Sequence, residues 1–595
     1  MLCRRAVTGV MLVVLILCPL VLRLTAKSPD LGSPVLGSGS NSCQASICGK
    51  ASNGKGVYAL PPIDWEHYSN YTEIVTILLA LNETYPDIVD VFSIGESWLN
   101  RDIYCVRLTN ESDQKTKPEI LFVGYHHARE PITAELSLYF AVYAATNYGT
   151  NQTVAEVVDK SEIYVIVALN VDGFELFEAN DWQRKNARPT DEDFDAIDDE
   201  DPPEDEDEDG FIEQLIDYSN PSYPTFVRWE GIDNDGDAEY AEDWIGGVDL
   251  NRNYDYAWEL GSSQRQSEIY KGPQPFSEPE TQAIRDFVLE HDFTYAISFH
   301  SGVELILYPW GSTLAPPPDE ARFIEVAQDL SSITGGTLYQ QSSDFYLSYG
   351  VWDDWMYGVA NVFALTCEIF YNETWEGVGE PGPYPNTVWE GGLKYWFNPF
   401  PEGIETTILR WLPVFFYITN RTINEAFHNL AVERVQPQKT VIGKGYTLRL
   451  NVSLRNEGFF QEASNVTVYA NSTIVQTQSI TLSHRTSSII TFLWATADVA
   501  KGNYIISAYA WPVPDEENTT DNNATGVHVF ITIPGDMDAD RDVDIYDIVM
   551  IAGRYGEVLP PVAWPQPPED IDGDGDVDIY DVVVAAGNYG ESWQP

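Results

Sequence analysis

The segment EILFVGYHHAREPITAE, residues 119–135, places two adjacent histidines, an arginine and a glutamate directly after an apolar run. Successive side chains of an extended strand point to opposite faces, so His126 and His127 are not expected to bind one ion together. Glu130 follows His127 by three residues, and a short turn would bring that imidazole and that carboxylate to one metal ion. The spacing therefore predicts His127 and Glu130 as ligands and gives His126 a role in supporting the loop.

A catalytic zinc site needs a third protein ligand, because such an ion usually takes three and keeps one position open. His300 ends the apolar run FTYAISFH and is the predicted third ligand. The HxxE spacing alone is weak evidence, and a single histidine at a strand end is more often structural. The remaining histidines lack such a setting, since they lie in predicted helices or in the C-terminal β region: His67, His291, His428, His484 and His528.

The elements that must position these residues follow from the apolar runs. IYCVRL, EILFVGYH, EIYVIVALN and FTYAISFH are typical of strands, and helical stretches separate them, one of which Pro131 begins. Strands that alternate with helices predict a mostly parallel sheet with binding sites at the carboxyl ends of its strands. The last helix of this region is predicted from Glu402 to Asn429.

Six segments between residues 60 and 425 resemble zinc carboxypeptidases of the carboxypeptidase A, B and T type. They are HHAREP, WQRKNARP, GVDLNRNY, FHSGVELILYPWG, SDFYLSYGVWDDW and LTCEIF, and they occur in the family's order. The resemblance implies an α/β fold with an open, mixed sheet of eight strands flanked by helices. It also implies a peptidase that removes C-terminal residues from peptides with a free C-terminus, with one catalytic Zn²⁺ held by His127, Glu130 and His300.

The same resemblance assigns catalytic roles. Glu368, inside the apolar run FALTCEIF, would act as general base and then deliver the proton to the leaving amine. Arg184 would stabilise the oxyanion of the tetrahedral intermediate. Lys185 and Arg188 lie close enough in the sequence that this assignment could move to either of them.

Substrate-binding roles are implied as well. Asn251 and Arg252 would bind the terminal carboxylate, whose two oxygens fit a guanidinium fork. Tyr346 would close over that carboxylate, in preference to Tyr339 and Tyr349, because its spacing to Asp354 and Glu368 matches the family. Arg129 would contact the substrate further along its chain.

Two acidic residues bear on specificity. Asp353 lies where family members that prefer basic C-terminal residues carry an acid, and Asp344 is a second candidate, similar to the broad-specificity carboxypeptidase T type. A buried acid would pair with Lys or Arg and disfavour an apolar side chain. The sequence therefore predicts cleavage of basic C-terminal residues, alongside others.

Composition limits the partners. Lys plus Arg number 33 and Asp plus Glu 92, which gives a net charge of −59. Such a charge repels nucleic acid and anionic lipid and attracts divalent cations and basic peptides, so no nucleic-acid partner is expected. Residues 1–26 are predicted to be an export signal, with an uncleaved membrane anchor as the alternative and the only expected membrane contact. Residues 27–59 are rich in Gly, Ser and Pro and are a predicted linker.

Glycosylation motifs support an extracellular or cell-surface location. The number of Asn-X-Ser/Thr motifs exceeds chance and predicts a secreted glycoprotein. Their asparagines are Asn70, Asn82, Asn110, Asn151, Asn372, Asn420, Asn451, Asn465, Asn471, Asn518 and Asn523.

Two further regions follow the α/β region. Short alternating runs in residues 430–533 predict an immunoglobulin-like β-sandwich. Residues 534–595 contain a duplicated acidic loop, each followed by a helical run, with oxygen ligands at spacings that suit calcium. These acidic residues are Asp536, Asp538, Asp540, Asp542, Asp544 and Asp547 in the first copy and Asp570, Asp572, Asp574, Asp576, Asp578 and Asp581 in the second.

The duplicated loop and helix resemble a dockerin, a small α-helical calcium-binding module that docks onto a cohesin domain. A cohesin-like partner is therefore implied. Loop position 6 is normally Gly because the chain turns sharply there, and it is Gly575 in the second copy but Arg541 in the first. The departure puts calcium binding by the first loop in question.

An acidic insertion, residues 190–243, departs from the family. Fourteen of the nineteen residues from Asp191 to Asp209 are Asp or Glu, so the insertion repels itself unless cations neutralise it. The Asp-X-Asp-X-Asp spacing at Asp233, Asp235 and Asp237, and two similar runs upstream, predicts calcium-ordered loops near the active-site rim. A solvated run of charge is the alternative.

Two other functions compete with a secreted zinc carboxypeptidase. One is a peptidase of the same fold that acts on cell-wall-like peptides, and the other is a calcium-stabilised scaffold whose catalytic domain is vestigial. Asn251, Arg252 and Tyr346 favour substrates with a free carboxylate. The complete set of ligands, base and oxyanion arginine argues against a vestigial site.

Overall fold

The chain is described from a computed structural model that places residues 60–113, 116–191, 198, 202–206, 212–233, 240–241, 246–372, 380–391, 394–560 and 564–594. These residues belong to one compact unit, Lys55–Pro595. The predicted export signal, the linker and much of the acidic insertion, including Asp235 and Asp237, lie outside the described residues. Within the described ranges, no helix combines the length and the apolar character needed to cross a membrane.

The α/β region, residues 60–425, contains twelve strands in the part of the chain described. Eight of them form one sheet in the order β1-β2-β4-β3-β7-β10-β8-β9. Four neighbouring pairs are parallel and three antiparallel, which confirms the mixed eight-stranded sheet. The strands are β1 (Val89–Glu96), β2 (Asp102–Leu108), β3 (Glu119–Val123), β4 (Glu162–Ile166), β5 (Gln214–Asp217), β6 (Thr225–Trp229), β7 (Phe293–His300), β8 (Glu304–Tyr308), β9 (Leu338–Gln341), β10 (Phe363–Ile369), β11 (Glu380–Pro381) and β12 (Thr387–Glu390).

Helices cover both faces of this sheet, so its central strands are buried along their whole length. Every residue of β7 is buried, which explains why FTYAISFH is a continuous apolar run. The helices are α1 (Tyr71–Thr84), α2 (Pro131–Asn147), α3 (Gln152–Lys160), α4 (Gly173–Ala179), α5 (Pro279–Leu289), α6 (Glu320–Ile333), α7 (Ser342–Phe345), α8 (Trp352–Gly358), α9 (Lys394–Phe397) and α10 (Ile404–Glu425).

Two helices show how the sequence sets their ends. Helix α2 begins with Pro131, as predicted, because proline lacks the N–H that a first turn leaves unpaired. Helix α10 ends at Glu425 and not at Asn429, because Ala426 takes an extended conformation and a new strand begins at Leu430. Phe415 of α10 packs on Phe122 of β3 with ring centroids 4.4 Å apart, which fixes the helix against the sheet.

The acidic insertion forms part of a second sheet that the sequence did not predict. Strands β5 and β6 come from the insertion and pair with β12 and β11, in the order β11-β12-β5-β6. Trp182 anchors this sheet, since its indole lies 3.9 Å from that of Trp229 and its Nε1 donates to Ile212 O. The pairing joins residues about 170 positions apart, which local patterns cannot reveal.

The C-terminal β region forms two sheets around one apolar core. The sheets have the orders β13-β15-β18 and β14-β20-β19-β16-β17, and Leu450, Val468, Phe492 and Ile506 are buried between them. The immunoglobulin-like identity of this sandwich stays a prediction. Its strands are β13 (Leu430–Pro437), β14 (Val441–Gly443), β15 (Thr447–Asn456), β16 (Glu462–Ala470), β17 (Thr473–Leu482), β18 (Ser487–Ala495), β19 (Gly502–Ala510) and β20 (Asn523–Thr532).

Helices α11 (Ile545–Arg554) and α12 (Ile579–Gly587) each follow one of the two acidic loops, as the duplication predicts. Asp544 and Asp578 cap these helices, and each accepts a hydrogen bond from a backbone N–H of the first turn. The two halves pack on a small shared core that includes Met537, Ile551 and Ala585. The dockerin-like identity of this repeat stays a prediction.

Candidate active site

A polar cavity lies at the carboxyl ends of β7 and β10, where binding sites of such sheets are expected. It gathers all eight of the predicted ligand, base, oxyanion and carboxylate-binding residues. The lining residues are His127, Glu130, Arg184, Asn251, Arg252, His300, Ser301, Gly302, Val303, Phe345, Tyr346, Glu368 and Phe397.

The chain enters this cavity through a sharp turn after β3. The strand ends at Val123, within the run EILFVGYH, and Tyr125 takes the left-handed conformation with φ +58°. A Cβ on Gly124 would lie 2.6 Å from Val167 O, so only glycine fits at this close approach. His126 and His127 therefore do not lie in an extended strand, and strand alternation does not explain why they point apart.

The tertiary contacts separate the two histidines instead. His126 is fully buried, with Nε2 3.1 Å from Tyr254 Oη and Nδ1 3.0 Å from Ser298 Oγ. Its ring is thus held between two hydroxyl groups behind the cavity and does not line it. This placement agrees with the supporting role that the sequence predicted.

His127, Glu130 and His300 form a group that could hold a metal ion. His127 Nδ1 lies 2.8 Å from Glu130 Oε1, and His300 Nδ1 lies 3.0 Å from Glu130 Oε2. The two Nδ1 atoms are 3.1 Å apart and can share at most one proton, so this donor set fits a cation. Burial lowers the pKa of His300, which favours the neutral imidazole that binds metals.

Asp249 completes the site, and the sequence reasoning missed it. Its Oδ1 lies 3.1 Å from His127 Nε2 and its Oδ2 accepts from Arg184 Nε at 2.9 Å. Nδ1 of His127 faces Glu130 and His300, so Nε2 is the nitrogen that carries the hydrogen. Nε2–H donates a hydrogen bond to the Asp249 carboxylate, which fixes the tautomer and the orientation of the imidazole ring. The available signal was a carboxylate within GVDLNRNY, two residues before Asn251.

Glu368 lies beside the ligand group because its strand is in register with the one that carries His300. The two residues are Cα partners in the parallel pair β7 and β10. Burial raises the pKa of Glu368 well above its usual range, and the neighbouring Glu130 carboxylate raises it further. A carboxylate in this environment takes up a proton more readily than one in water.

Arg184 lines the cavity, whereas its neighbours Lys185 and Arg188 contact residues outside it. Asp249 holds the Arg184 guanidinium at the cavity edge. Lys185 is buried with Nζ donating to Arg265 O at 2.9 Å, and Arg188 pairs with Glu278 at 2.8 Å. Neither Lys185 nor Arg188 lines the cavity.

At the cavity mouth, Arg252 and Tyr346 lie in contact. Arg252 Nη2 donates to Tyr346 Oη at 3.0 Å, and Tyr346 is nearly half exposed at 46%. Asn251 is fixed by its Oδ1, which accepts from Trp352 N at 2.8 Å. Tyr339 instead accepts a hydrogen bond from Gln328.

Three residues predicted to contact substrate do not line the cavity. Arg129 is buried, pairs with Glu268 at 3.1 Å and lies over the Phe397 ring at 4.4 Å. Asp353 is buried, and its Oδ2 accepts from Ser342 Oγ at 3.0 Å. Arg129 is held by a partner 139 positions away and Asp353 by one 11 positions away, and the substrate-contacting roles of both residues stay predictions.

Asp344 is the third of these residues, and it is exposed on α7. It lies next to Phe345, which does line the cavity. The pKa of the other acidic candidate, Asp353, is raised to about 7 by burial and by the adjacent Asp354. Neither acid lines the cavity in this conformation.

In each acidic loop of the repeat, some of the predicted calcium ligands lie close together and others do not. The carboxylates of Asp536, Asp538 and Asp540 lie close enough together to hold an ion, as do those of Asp570, Asp572 and Asp574. Asp547 and Asp581 instead accept backbone N–H groups of their own loops, from Met537 and Ile571 at 2.6 Å among others, and Asp542 and Asp576 lie outside these groups. Arg541 adopts φ +87°, so it accepts the turn that usually needs Gly. Asp233 belongs to no such group among the described residues.

The α/β region is similar in sequence to known zinc carboxypeptidases. The family model for zinc carboxypeptidases matches residues 74–408. Mast cell carboxypeptidase A of Rattus norvegicus is 25% identical over 312 residues, which cover 50% of this chain and 63% of the relative. Zinc carboxypeptidase of Saccharothrix mutabilis subsp. capreolus is 28% identical over 348 residues, covering 54% and 65%, and carboxypeptidase B of Astacus astacus is 27% identical over 323 residues, covering 52% and 88%. The chain thus spans less than two thirds of the length of the first two relatives.

Proposed function

The chain belongs to the zinc carboxypeptidase family, and we propose that it is a zinc-dependent metallocarboxypeptidase that hydrolyses C-terminal residues from peptides. One observation carries this proposal: the group His127, Glu130 and His300 shares a single cavity with Glu368 and Arg252. Exopeptidase chemistry needs a metal-binding group, a carboxylate of raised pKa and an arginine that binds the terminal carboxylate of the peptide. A scaffold with a vestigial site would have no reason to keep all of them.

His127, Glu130 and His300 would hold the zinc ion, which would supply Lewis-acid chemistry: it would polarise a carbonyl and lower the pKa of a water molecule. Glu368 accepts a proton from the attacking water, and its raised pKa suits that task. The protonated Glu368 then donates to the departing amine. Arg184 stabilises the negative charge that develops on the carbonyl oxygen, and Asp249 keeps its guanidinium aimed at the cavity.

The cavity mouth selects the end of the peptide. Arg252 offers a guanidinium fork to the terminal carboxylate, and Asn251 adds an amide beside it. Tyr346 is exposed and rests on Arg252, so a small loop movement can carry its hydroxyl onto a bound carboxylate. These three residues favour an exopeptidase over a peptidase for internal bonds.

Basic C-terminal residues are the proposed preferred substrates, with others cleaved more slowly. The support is Asp353, whose carboxyl is held by Ser342 at the base of the helix that carries Phe345. A lysine or arginine side chain that reached Asp353 would restore its ionised form and pair with it. Asp344, exposed on the same short helix, adds a second acid near the entrance.

We also propose that the C-terminal repeat binds calcium. The support is that Asp536 and Asp570, the first residues of the two loops, are fully buried, yet one oxygen of each has no hydrogen-bond partner among the described residues. Buried carboxylate oxygens without partners are costly, and a bound cation removes that cost. Calcium binding by the acidic insertion stays a prediction, because most of its aspartates lie outside the described residues.

We propose that the protein is secreted and that its C-terminal repeat binds a cohesin-like partner. None of the eleven asparagines in glycosylation motifs is buried, which suits a glycosylated extracellular protein. The repeat exposes Ile545, Tyr546, Ile579 and Tyr580 at equivalent positions of its two helices. A duplicated apolar surface of this kind suits a cohesin-like partner.

Zinc content and hydrolysis of blocked dipeptides, with and without a zinc chelator, test the proposed activity. We expect about one zinc per chain and hydrolysis that the chelator abolishes and added zinc restores. The Glu368→Gln variant should retain zinc and lose hydrolysis, because the substitution removes the base and not a ligand. A protein that binds no zinc and hydrolyses no dipeptide would leave the scaffold function as the better explanation.

A further inference from the structure

The first aspartate of each acidic loop differs from its neighbours in burial. Asp536 and Asp570 are fully buried, whereas Asp538, Asp540, Asp572 and Asp574 are exposed. Burial arises because both first aspartates lie against the β-sandwich that precedes the repeat. The sandwich is therefore part of the surroundings of each loop.

In the first loop, the sandwich contributes a hydroxyl. Thr532, the last residue of β20, donates from Oγ1 to Asp536 Oδ2, and Arg541 N donates to the same oxygen at 3.0 Å. The second oxygen, Oδ1, is buried without a partner among the described residues. One carboxylate oxygen is thus fixed by protein donors, and the other is left for a cation.

The second loop repeats this arrangement with a different donor. Asp570 Oδ1 accepts from Gly573 N at 2.7 Å and lies 3.6 Å from Lys439 Nζ. Its Oδ2 is buried without a hydrogen-bond partner in the described part of the chain. Lys439 precedes β14 of the sandwich and its side chain is only 5% exposed.

The correspondence between the loops is what points to a function. In each loop, one backbone N–H from within the loop and one side chain from the sandwich hold the first carboxylate, the side chain being a hydroxyl donor in the first loop and a paired ammonium in the second. Outer donors of this kind fix the rotation of a metal-binding group, and their loss typically weakens metal binding about 10- to 100-fold. Lys439 also neutralises part of a dense negative charge that would otherwise be buried.

We propose that the β-sandwich supplies an outer partner to each calcium loop, the hydroxyl of Thr532 to the first and the ammonium of Lys439 to the second. Calcium binding by the repeat and docking of the repeat on the sandwich are then thermodynamically coupled. This inference rests on the calcium binding proposed above and adds that the repeat does not bind calcium as an independent module. Because coupling is reciprocal, calcium should strengthen the docking by the same factor as the docking strengthens calcium binding.

The docking contacts lie next to Lys439. Gln566 N donates to Gln438 O at 2.5 Å, and Gln438 Nε2 donates back to Gln566 Oε1 at 2.6 Å. Gln436 Nε2 also donates to Trp564 O at 2.7 Å. Calcium bound to Asp570 would therefore stabilise the junction between the repeat and the sandwich, and amide hydrogen exchange can follow the hydrogen bonds of this junction.

Calcium titration calorimetry on the full chain, after removal of bound ions, tests the proposal. Thr532→Val should weaken one of two sites about 10- to 100-fold, and Lys439→Met should weaken the other by a similar factor. Thr532→Ser keeps the hydroxyl and should restore the first site, which separates a lost donor from a misfolded strand. Lys501→Met removes a lysine for which no contact with either loop is present among the described residues, and it should leave both sites unchanged.

Amide hydrogen exchange gives a second readout of the coupling. Calcium should slow exchange at Gln566, whose N–H crosses the junction, in the wild-type protein and less so in Lys439→Met. Wild-type calcium affinity in both Thr532→Val and Lys439→Met, or tighter binding in Lys439→Met, would overturn the coupling while leaving the calcium sites in place. A wild-type protein that binds no calcium would overturn the calcium proposal itself, and the coupling with it.

Discussion

Asp249 and His127 form a carboxylate–imidazole pair, 3.1 Å apart, on the side of the imidazole that faces away from the ligand group. The pair holds Nδ1 of His127 toward Glu130 and His300, and the second oxygen of Asp249 holds Arg184. A single buried carboxylate thus positions a metal ligand and the arginine proposed for the oxyanion. The proposed zinc binding and the proposed catalysis should therefore depend on the same residue.

Asp249→Asn should lower zinc affinity about 10- to 100-fold, because the amide accepts more weakly and can present its N–H₂ to His127. Competition with a fluorescent chelator measures the affinity. Asp255→Asn, an exposed aspartate in the same loop, is the matched control and should bind zinc normally. Equal zinc affinity in both variants would contradict the role given to Asp249.

His126→Ala should retain zinc, whereas His127→Ala should lose most of it. His126 contacts Tyr254 and Ser298 behind the cavity, so its loss should lower thermal stability without removing a ligand. Metal analysis of the dialysed variants, together with their melting temperatures, measures both effects. The reverse pattern of zinc retention would overturn the ligand assignment.

Asp353→Ala should reduce the preference for basic C-terminal residues. The alanine removes an acid that a lysine side chain could pair with, so kcat/KM for Lys- and Arg-ending peptides should fall more than that for Phe-ending peptides. A peptide panel that differs only in the last residue measures this ratio. Wild-type protein that cleaves the Phe-ending peptide much faster than the Lys-ending one would refute the basic preference.

Glu135→Gln should stabilise the protein at alkaline pH. Burial raises the pKa of Glu135 from 4.5 to about 7, so between these values the unfolded chain ionises while the folded protein keeps its proton. Stability therefore falls as the pH rises through this window, and the variant should gain up to about 3 kcal/mol over wild type at pH 8. At pH 4 the two proteins should differ little.

Urea unfolding at several pH values gives this difference directly. Glu290→Gln, at an exposed position, is the control and should show no such pH dependence. A pH-independent difference between Glu135→Gln and wild type would mean that Glu135 ionises normally in the folded protein.

Phe459→Ala should destabilise the α/β region as well as the sandwich. Phe459 belongs to the sandwich but is buried in the apolar core of the α/β region, with the Arg322 guanidinium 5.3 Å from its ring. Removing a buried phenylalanine costs about 3–5 kcal/mol. Differential scanning calorimetry should show the transition of both parts shifted, whereas Leu493→Ala, at an exposed position of the sandwich, should leave it unchanged.

Local sequence signals were sufficient for the ligand group. His127 and Glu130 are three residues apart, so one turn decides their geometry. His300 and Glu368 each lie in a strongly apolar strand, and such strands are buried side by side in an α/β sheet. The register that aligns them follows from the fold that the motifs implied.

Contacts between residues far apart in the sequence could not be predicted from local patterns. Asp249 contacts His127 across 122 positions, and Arg129 turns away to Glu268 across 139. For both pairs, a partner far along the chain decided where a side chain points.

The sequence by itself predicted which groups could do the chemistry. Short spacing pointed to His127 and Glu130 and to the paired acidic loops, because local backbone geometry fixes such contacts, whereas the general base and the cations for the oxyanion and the carboxylate were implied by the resemblance to zinc carboxypeptidases. The tertiary structure alone decided that the insertion joins residues 380–390 in one sheet, that Phe459 completes the core of the α/β region, and that Thr532 and Lys439 meet the acidic loops. Such contacts arise from the packing of whole elements against one another, and no short stretch of the chain encodes them.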